Sequence, residues 1–262
     1  MCGKMVAVNI AFGGNTFMKS ALTVKWFAKA VSSITKLGPE LKKGTELKNT
    51  QPWEVYKPFV DKIVRKWAQD LMDLADVTFE VKGAENIPEN EPVIYTPNHS
   101  GIFDFPAIML NTPTVSSFIS KIEAQKIPLV NKWMWLMDCV FIDRSNKRAA
   151  HGSLDEAIEL VKNGRSMVIF PEGTRSKTGE LGEFKGGAMK IAMKTGAKVV
   201  PVLIENSRER FEATGNITPG TVKVTFLEPI VTEGLTREDF KPMPAQIRQM
   251  LIDERERQHQ NS

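Results

Sequence analysis

Residues 93–106 read V-I-Y-T-P-N-H-S-G-I-F-D-F-P, and the rest of the chain is organised around them. Val93–Thr96 are apolar or β-branched and run into Pro97, the pattern of a buried strand meeting its stop. Asn98, His99, Ser100 and Gly101 are mostly turn-prone types. Asp104, with Pro106 two residues on, suits the first turn of a helix. His99 and Asp104 therefore flank a strand-to-helix turn. On an unbroken helix, residues five apart point roughly 140° away from each other. A backbone bent at Gly101 brings them together, and a carboxylate against one imidazole nitrogen leaves the other free as a base. The plainer alternative is that Asp104 caps the helix and His99 is an ordinary turn residue.

Outward from this stretch, short apolar runs alternate with helical periodicity. The patterns predict strands over 77–81, 92–95, 115–120, 139–143, 166–170, 198–204 and 221–227. They predict helices over 104–111, 147–162, 187–195 and about 244–257. Alternation of this kind implies an α/β fold with a mostly parallel central sheet flanked by helices. Ligand sites in such sheets gather at the carboxyl ends of strands. Lys121 closes one predicted strand, Arg144 ends another, and Glu172, Gly173, Thr174 and Arg175 follow a fourth. Strand-terminal cations are commonly just solvated. As a set beside His99 and Asp104, they suggest phosphate binding near a base, because guanidinium groups and loop N–H groups both suit phosphate oxygens.

The N-terminal part reads differently. The 262-residue chain has a net charge of only +4, yet its first 50 residues hold eight lysines and two glutamates. An uneven basic end suggests an anionic surface as partner. Between Thr16 and Leu37, Phe17, Val24, Phe27, Ala28, Val31 and Ile34 fall on one side of a helical wheel. Lys25, Lys29 and Lys36 fall on the other, with Lys19 out of place. With Trp26, this resembles a helix lying on a membrane, although helices of this pattern also pack on their own protein. Residues 38–53 are expected to be a loop. A second helix is expected over 55–75, with Pro58 in its first turn. The division expected is a helical membrane-associating element over 1–76 and an α/β domain over 77–262.

Several classes are not indicated. The sequence lacks G-x-S-x-G, G-x-x-x-x-G-K-[ST] and G-x-G-x-x-G. Cys2 and Cys139 form no disulfide framework or zinc pattern, and Cys139 sits in an apolar run suited to a core thiol. No uncharged apolar run reaches 18 residues. A reducing cytoplasm fits, and neither metal nor nucleic acid is expected. His151 and His259 read as surface residues.

Four blocks in one order carry a resemblance. N-H-S-G-I-F-D (98–104), S-K-I-E-x4-P-x12-F-I-D-R (120–144), F-P-E-G-T-R-S (170–176) and V-V-P-V (199–202) resemble motifs I to IV of the glycerolipid acyltransferases, especially the bacterial 1-acyl-glycerol-3-phosphate acyltransferases. The resemblance implies acyl transfer from acyl-CoA or acyl-carrier protein to a lysophospholipid at the cytoplasmic face of the cell membrane, without a further cofactor. It implies His99 as general base, Asp104 as its orienting partner and Pro201 near the acyl chain. It places the acceptor's phosphate on Lys121, Arg144 and Glu172-Gly173-Thr174-Arg175. One departure is that many members carry glycine shortly after the motif II proline, where this chain reads P-L-V-N-K-W-M-W. Other acceptors, such as glycerol-3-phosphate, and a non-catalytic anionic-lipid-binding module are the alternatives.

Overall fold

Seven short strands form one sheet in the order β1-β7-β6-β2-β5-β3-β4. They are β1 (Val77–Lys82), β2 (Val93–Pro97), β3 (Ser117–Lys121), β4 (Val140–Ile142), β5 (Met167–Val168), β6 (Lys198–Glu205) and β7 (Gly220–Phe226). The computed structural model describes residues 20–260. The apolar run before residue 19, with Phe17 and Lys19 of the amphipathic reading, and Cys2, lie outside the described residues. The helices are α1 (Ala21–Lys36), α2 (Gly38–Thr50), α3 (Trp53–Ala75), α4 (Asp104–Asn111), α5 (Val130–Leu136), α6 (Lys147–Lys162), α7 (Gly187–Thr195), α8 (Arg237–Phe240) and α9 (Met243–Gln260).

Strands β6, β2, β5, β3 and β4 pair in parallel, so their carboxyl ends share one edge. Strand β7 runs antiparallel to β6, and β1 follows β7 in parallel. The sheet is thus mostly parallel, with a reversed pair at one side. Side-chain alternation sends β2 and β6 into two cores. Val93, Tyr95, Val200, Val202 and Ile204 face a core shared with α1, α3 and α4. Ile94, Val199 and Leu203 face a second core built with α6, α7 and α9.

Three expectations for the N-terminal part need correction. Residues 38–50 are helical rather than a loop. Pro39 sits in the first turn of α2, where its missing N–H costs nothing, and Glu40 and Lys48 suit the two ends of the helix dipole. Gly44, which reads as a loop signal, instead lets α2 approach its neighbours, since a Cβ there would lie 2.9 Å from Leu136 and 3.3 Å from Phe59. Pro58 lies inside α3, beyond the first turn, because the helix begins at Trp53.

The third correction concerns the apolar face of α1. Trp26 is buried and donates its indole N–H to the Leu71 carbonyl at 2.8 Å, so it belongs to the protein interior. Phe27 and Ala30 are buried beside it, whereas Val24 and Val31 remain 51% and 39% exposed. Helix α2 is anchored in turn by Lys48, which pairs at 2.5 Å with Asp138, a carboxylate also met by Arg165 and the Tyr56 hydroxyl. Among the described residues no helix is long and apolar enough to cross a membrane.

Candidate active site

The turn after β2 is built to hold one imidazole. Asn98 follows the strand, and its side-chain amide imitates a peptide group. It donates to the Ile204 carbonyl at 2.9 Å and accepts from the Ile204 N–H at 2.7 Å. This clasp to β6 fixes where the chain leaves the sheet. Gly101 then passes so close to Ser207 that a Cβ would lie 2.4 Å from the Ser207 Oγ and 2.9 Å from its backbone carbon. No larger residue permits that bend without moving backbone.

The bend brings His99 Nδ1 within 2.6 Å of Asp104 Oδ2. The same oxygen accepts the N–H groups of Ser100 at 2.7 Å and Gly101 at 2.9 Å. Asp104 therefore folds back over the turn instead of capping α4, whose N-cap residue Phe103 makes no side-chain capping bond. A carboxylate can only accept, so the tautomer that bonds it has the proton on Nδ1 and a lone pair on Nε2. Asp104 is fully buried and His99 nearly so. The imidazole stacks on Phe170 at 4.1 Å between centroids and meets the edge of Phe105 at 5.8 Å. Three groups, one carboxylate and two rings, leave the imidazole little rotational freedom.

The loop after β5 is bonded directly to this turn. Ser176 N–H donates to the His99 carbonyl at 2.7 Å. Glu172 accepts the His99 N–H on one oxygen at 2.8 Å and the Gly182 N–H on the other at 3.0 Å. Its carboxylate is occupied as a bracket behind His99 and is buried, which raises its pKa against the pull of those two amides. Gly173 takes φ +71°, and the Arg144 guanidinium lies over it, donating to its carbonyl at 2.6 Å. A Cβ on Gly173 would lie 2.2 Å from Arg144 Nη1. Thr174 is exposed beside them. Lys121, also exposed, ends β3 and registers with Ile142, two residues before Arg144. Arg175 turns toward Glu212, at 3.1 Å. Pro201 is buried within β6, opposite Thr96.

A buried His–carboxylate pair on a strand-to-helix turn, tied to a glycine loop under an arginine, can serve a base facing an anion. The chain as a whole is similar to known proteins. The Acyltransferase family model matches residues 78–205. A crystal structure of the 1-acyl-sn-glycerophosphate (LPA) acyltransferase PlsC from Thermotoga maritima superposes with a TM-score of 0.75. It is 30% identical, over 88% of this chain and 91% of that one. The chain belongs to the acyltransferase family. A 1-acyl-sn-glycerol-3-phosphate acyltransferase of Borreliella burgdorferi is 38% identical over 53% of this chain and 55% of its own. A chloroplastic protein of that name from Brassica napus is 37% identical over 58% and 44%. The chain spans about half the length of these curated relatives.

Within the acyltransferase fold, one residue of the site escapes motif reading. Glu212 lies beyond the matched region, yet one of its oxygens accepts the Ile102 N–H at 2.8 Å as well as the Arg175 guanidinium. Burial pushes this carboxyl up to about 7, with Arg175 pulling it down and Asp104 pushing it further up. It braces the far side of the turn that Glu172 braces from within. A glutamate 108 positions from Asp104, in a stretch of mixed charge, gives no local signal. Phe170 is similar in kind, since its place in F-P-E-G-T-R-S does not show that its ring lies on His99.

Proposed function

We propose that this acyltransferase moves a fatty acyl group from acyl-CoA or acyl-carrier protein to the sn-2 hydroxyl of 1-acyl-glycerol-3-phosphate, forming phosphatidic acid. The observation that carries the reading is the 2.6 Å bond from His99 Nδ1 to the buried Asp104, on the same sheet edge as Arg144 over Gly173. The names of the relatives supply the acceptor.

In this mechanism His99 Nε2 takes the proton from the acceptor hydroxyl as its oxygen attacks the thioester carbonyl. The tetrahedral intermediate expels the thiol sulfur, which receives that proton from the imidazolium. The ester bond forms, the thioester bond breaks, and no acyl-enzyme is needed because the thioester is already activated. Asp104 holds the tautomer and offsets the transient imidazolium charge. General-base help of this kind is worth about 10²–10⁴-fold. Arg144, Lys121, Thr174 and Arg175 are the groups proposed for the acceptor's phosphate, with Arg144 retaining N–H donors beyond the one given to Gly173. Pro201, buried in β6 opposite Thr96, is proposed to shape the region near the acyl chain. Glu172 acts by positioning His99.

The exposed side of α1, with Lys25, Lys29, Lys36, Val24 and Val31, is proposed to rest on anionic lipid at the cytoplasmic face of the cell membrane. The test is direct. Purified protein, given lysophosphatidic acid and either thioester, is expected to form phosphatidic acid, and His99→Ala to lose nearly all of it. Undiminished turnover in that variant would remove His99 as the base.

A further inference from the structure

A groove of about 1430 Å³ opens on the α6–α9 side of the sheet, and none of the motifs accounts for it. Its floor is apolar, with Met189, Met193 and Phe240 between the helices. Its rim is cationic. Lys190 and Lys194 stand one turn apart on α7, Lys185 precedes that helix, and Arg237 begins α8 on the facing wall. All four are exposed. The other lining charges are largely committed. Asp155 faces His151 at 3.3 Å, Lys241 pairs with Glu238 at 2.6 Å, and Arg248 holds the carbonyls of Leu181 and Gly182. Glu183 is the remaining acid on the lining.

One residue of the groove is tied to the active-site turn. Gly182 lines the groove, and the Gly182 N–H is bound by the same Glu172 carboxylate that binds the His99 N–H. The groove belongs to the core face opposite α1–α3. Whatever α1 rests on, the groove opens to the other side, away from it.

We propose that this groove docks an acidic carrier protein bearing the acyl group as a thioester. The proposal rests on the acyl-transfer reading above and names the donor's binding surface. Three features favour a protein. The volume exceeds the 300–1,000 Å³ usual for small-molecule pockets. The cations are spread over two walls instead of converging on one phosphate. The flexible methionine floor suits the apolar edge of a partner helix, whose flanking carboxylates would meet the lysines. A bilayer fits less well, being flat and, on this reading, on the opposite face.

The experiment compares donors in the full-length enzyme. Acyl transfer to lysophosphatidic acid is measured with a palmitoyl carrier-protein thioester and with palmitoyl-CoA, for wild type and for Lys190→Glu/Lys194→Glu. The double variant is expected to lose about tenfold or more in kcat/KM with the carrier protein, through a lower association rate and a weaker salt dependence. With palmitoyl-CoA it is expected to stay within about twofold, which also shows that it is folded. Equal losses with both donors, no loss with the carrier protein, or a wild type that uses only CoA would each overturn the proposal while leaving the acyl-transfer reading intact. Loss of binding to anionic vesicles with unchanged carrier-protein transfer would overturn it too, assigning the groove to lipid. A wild type inert with every thioester would sink the acyl-transfer reading itself, and this proposal with it.

Discussion

The backbone N–H of His99 and the carboxylate of Glu172 are joined by a 2.8 Å hydrogen bond, so the glutamate of F-P-E-G-T-R-S grips the base from behind. Glu172→Gln tests what that grip is for. An amide cannot accept the His99 and Gly182 N–H groups on two separate heads as this carboxylate does, since one of its heads is a donor. The variant is expected to lose about 10–100-fold in kcat with little change in acceptor KM, as fits a misplaced base. Steady-state kinetics against lysophosphatidic acid decides. A raised acceptor KM at constant kcat would return Glu172 to the phosphate site.

Asp104→Asn keeps the shape of the carboxyl group but removes the charge from an acceptor that three donors share. The amide either keeps its oxygen at the Oδ2 position, with its NH₂ in the buried, partnerless place of Oδ1 and no charge left to offset the imidazolium, or turns its NH₂ onto all three donors, loosening the turn and reversing the tautomer. Either way kcat is expected to fall by about 10²–10⁴-fold. Nitrogen NMR of the imidazole in both proteins shows which ring nitrogen is protonated. An unchanged tautomer with full activity would refute the orienting role.

Gly101→Ala sets the bend at the centre of the site against Ser207. A methyl 2.9 Å from backbone atoms is not relieved by a rotamer change. The expected cost is about 1–3 kcal/mol of stability, as for overpacking generally, together with loss of activity. Denaturant melts and turnover measure the two. Wild-type values in both would mean that the turn does not need this approach.

These residues also mark how far the chain can be read without coordinates. Apolar alternation carried every strand and the helices at 104–111, 147–162 and 187–195, because burial on a sheet or helix face imposes a period on the sequence. Strand direction imposes none, so the reversal of β7 and β1 was not legible. The helix at 38–50 was hidden because Gly44 serves close packing and Pro39 serves a first turn, while both residues also mark loops. His99 and Asp104 were legible as a pair because one short turn holds both. The Glu212 contact was not, since it joins Ile102 across 110 positions.

Glu212 gives the site a pH dependence. Burial raises its carboxyl from 4.5 to about 7, so between those values the folded protein keeps a proton that the unfolded chain has released. Its favourable contribution is whole below about pH 4.5 and is lost as pH rises through 7. Glu212→Gln holds a neutral group in the same place. The variant should therefore gain on the wild type as pH rises from 4.5 to 7, by no more than about 1.4 kcal/mol per pH unit. Above pH 7 the gap should level off. Chemical denaturation of both proteins at several pH values measures it, and a gap independent of pH would show that this carboxyl does not titrate in that window.

The two sides of α1 separate packing from membrane contact. Trp26 is buried, and its indole N–H is bonded to the Leu71 carbonyl, so Trp26→Ala is expected to cost about 3–5 kcal/mol of stability. Lys25 and Lys29 are exposed, and Lys25→Glu/Lys29→Glu should leave the melting temperature nearly unchanged. If this side meets anionic lipid, each lysine contributes about 1 kcal/mol of attraction, and reversing two weakens vesicle binding by well over tenfold. Flotation with vesicles containing anionic lipid, against neutral ones, measures that loss. A double variant that floats as wild type does would leave α1 as a packing helix alone, with the membrane surface to be sought elsewhere on the protein.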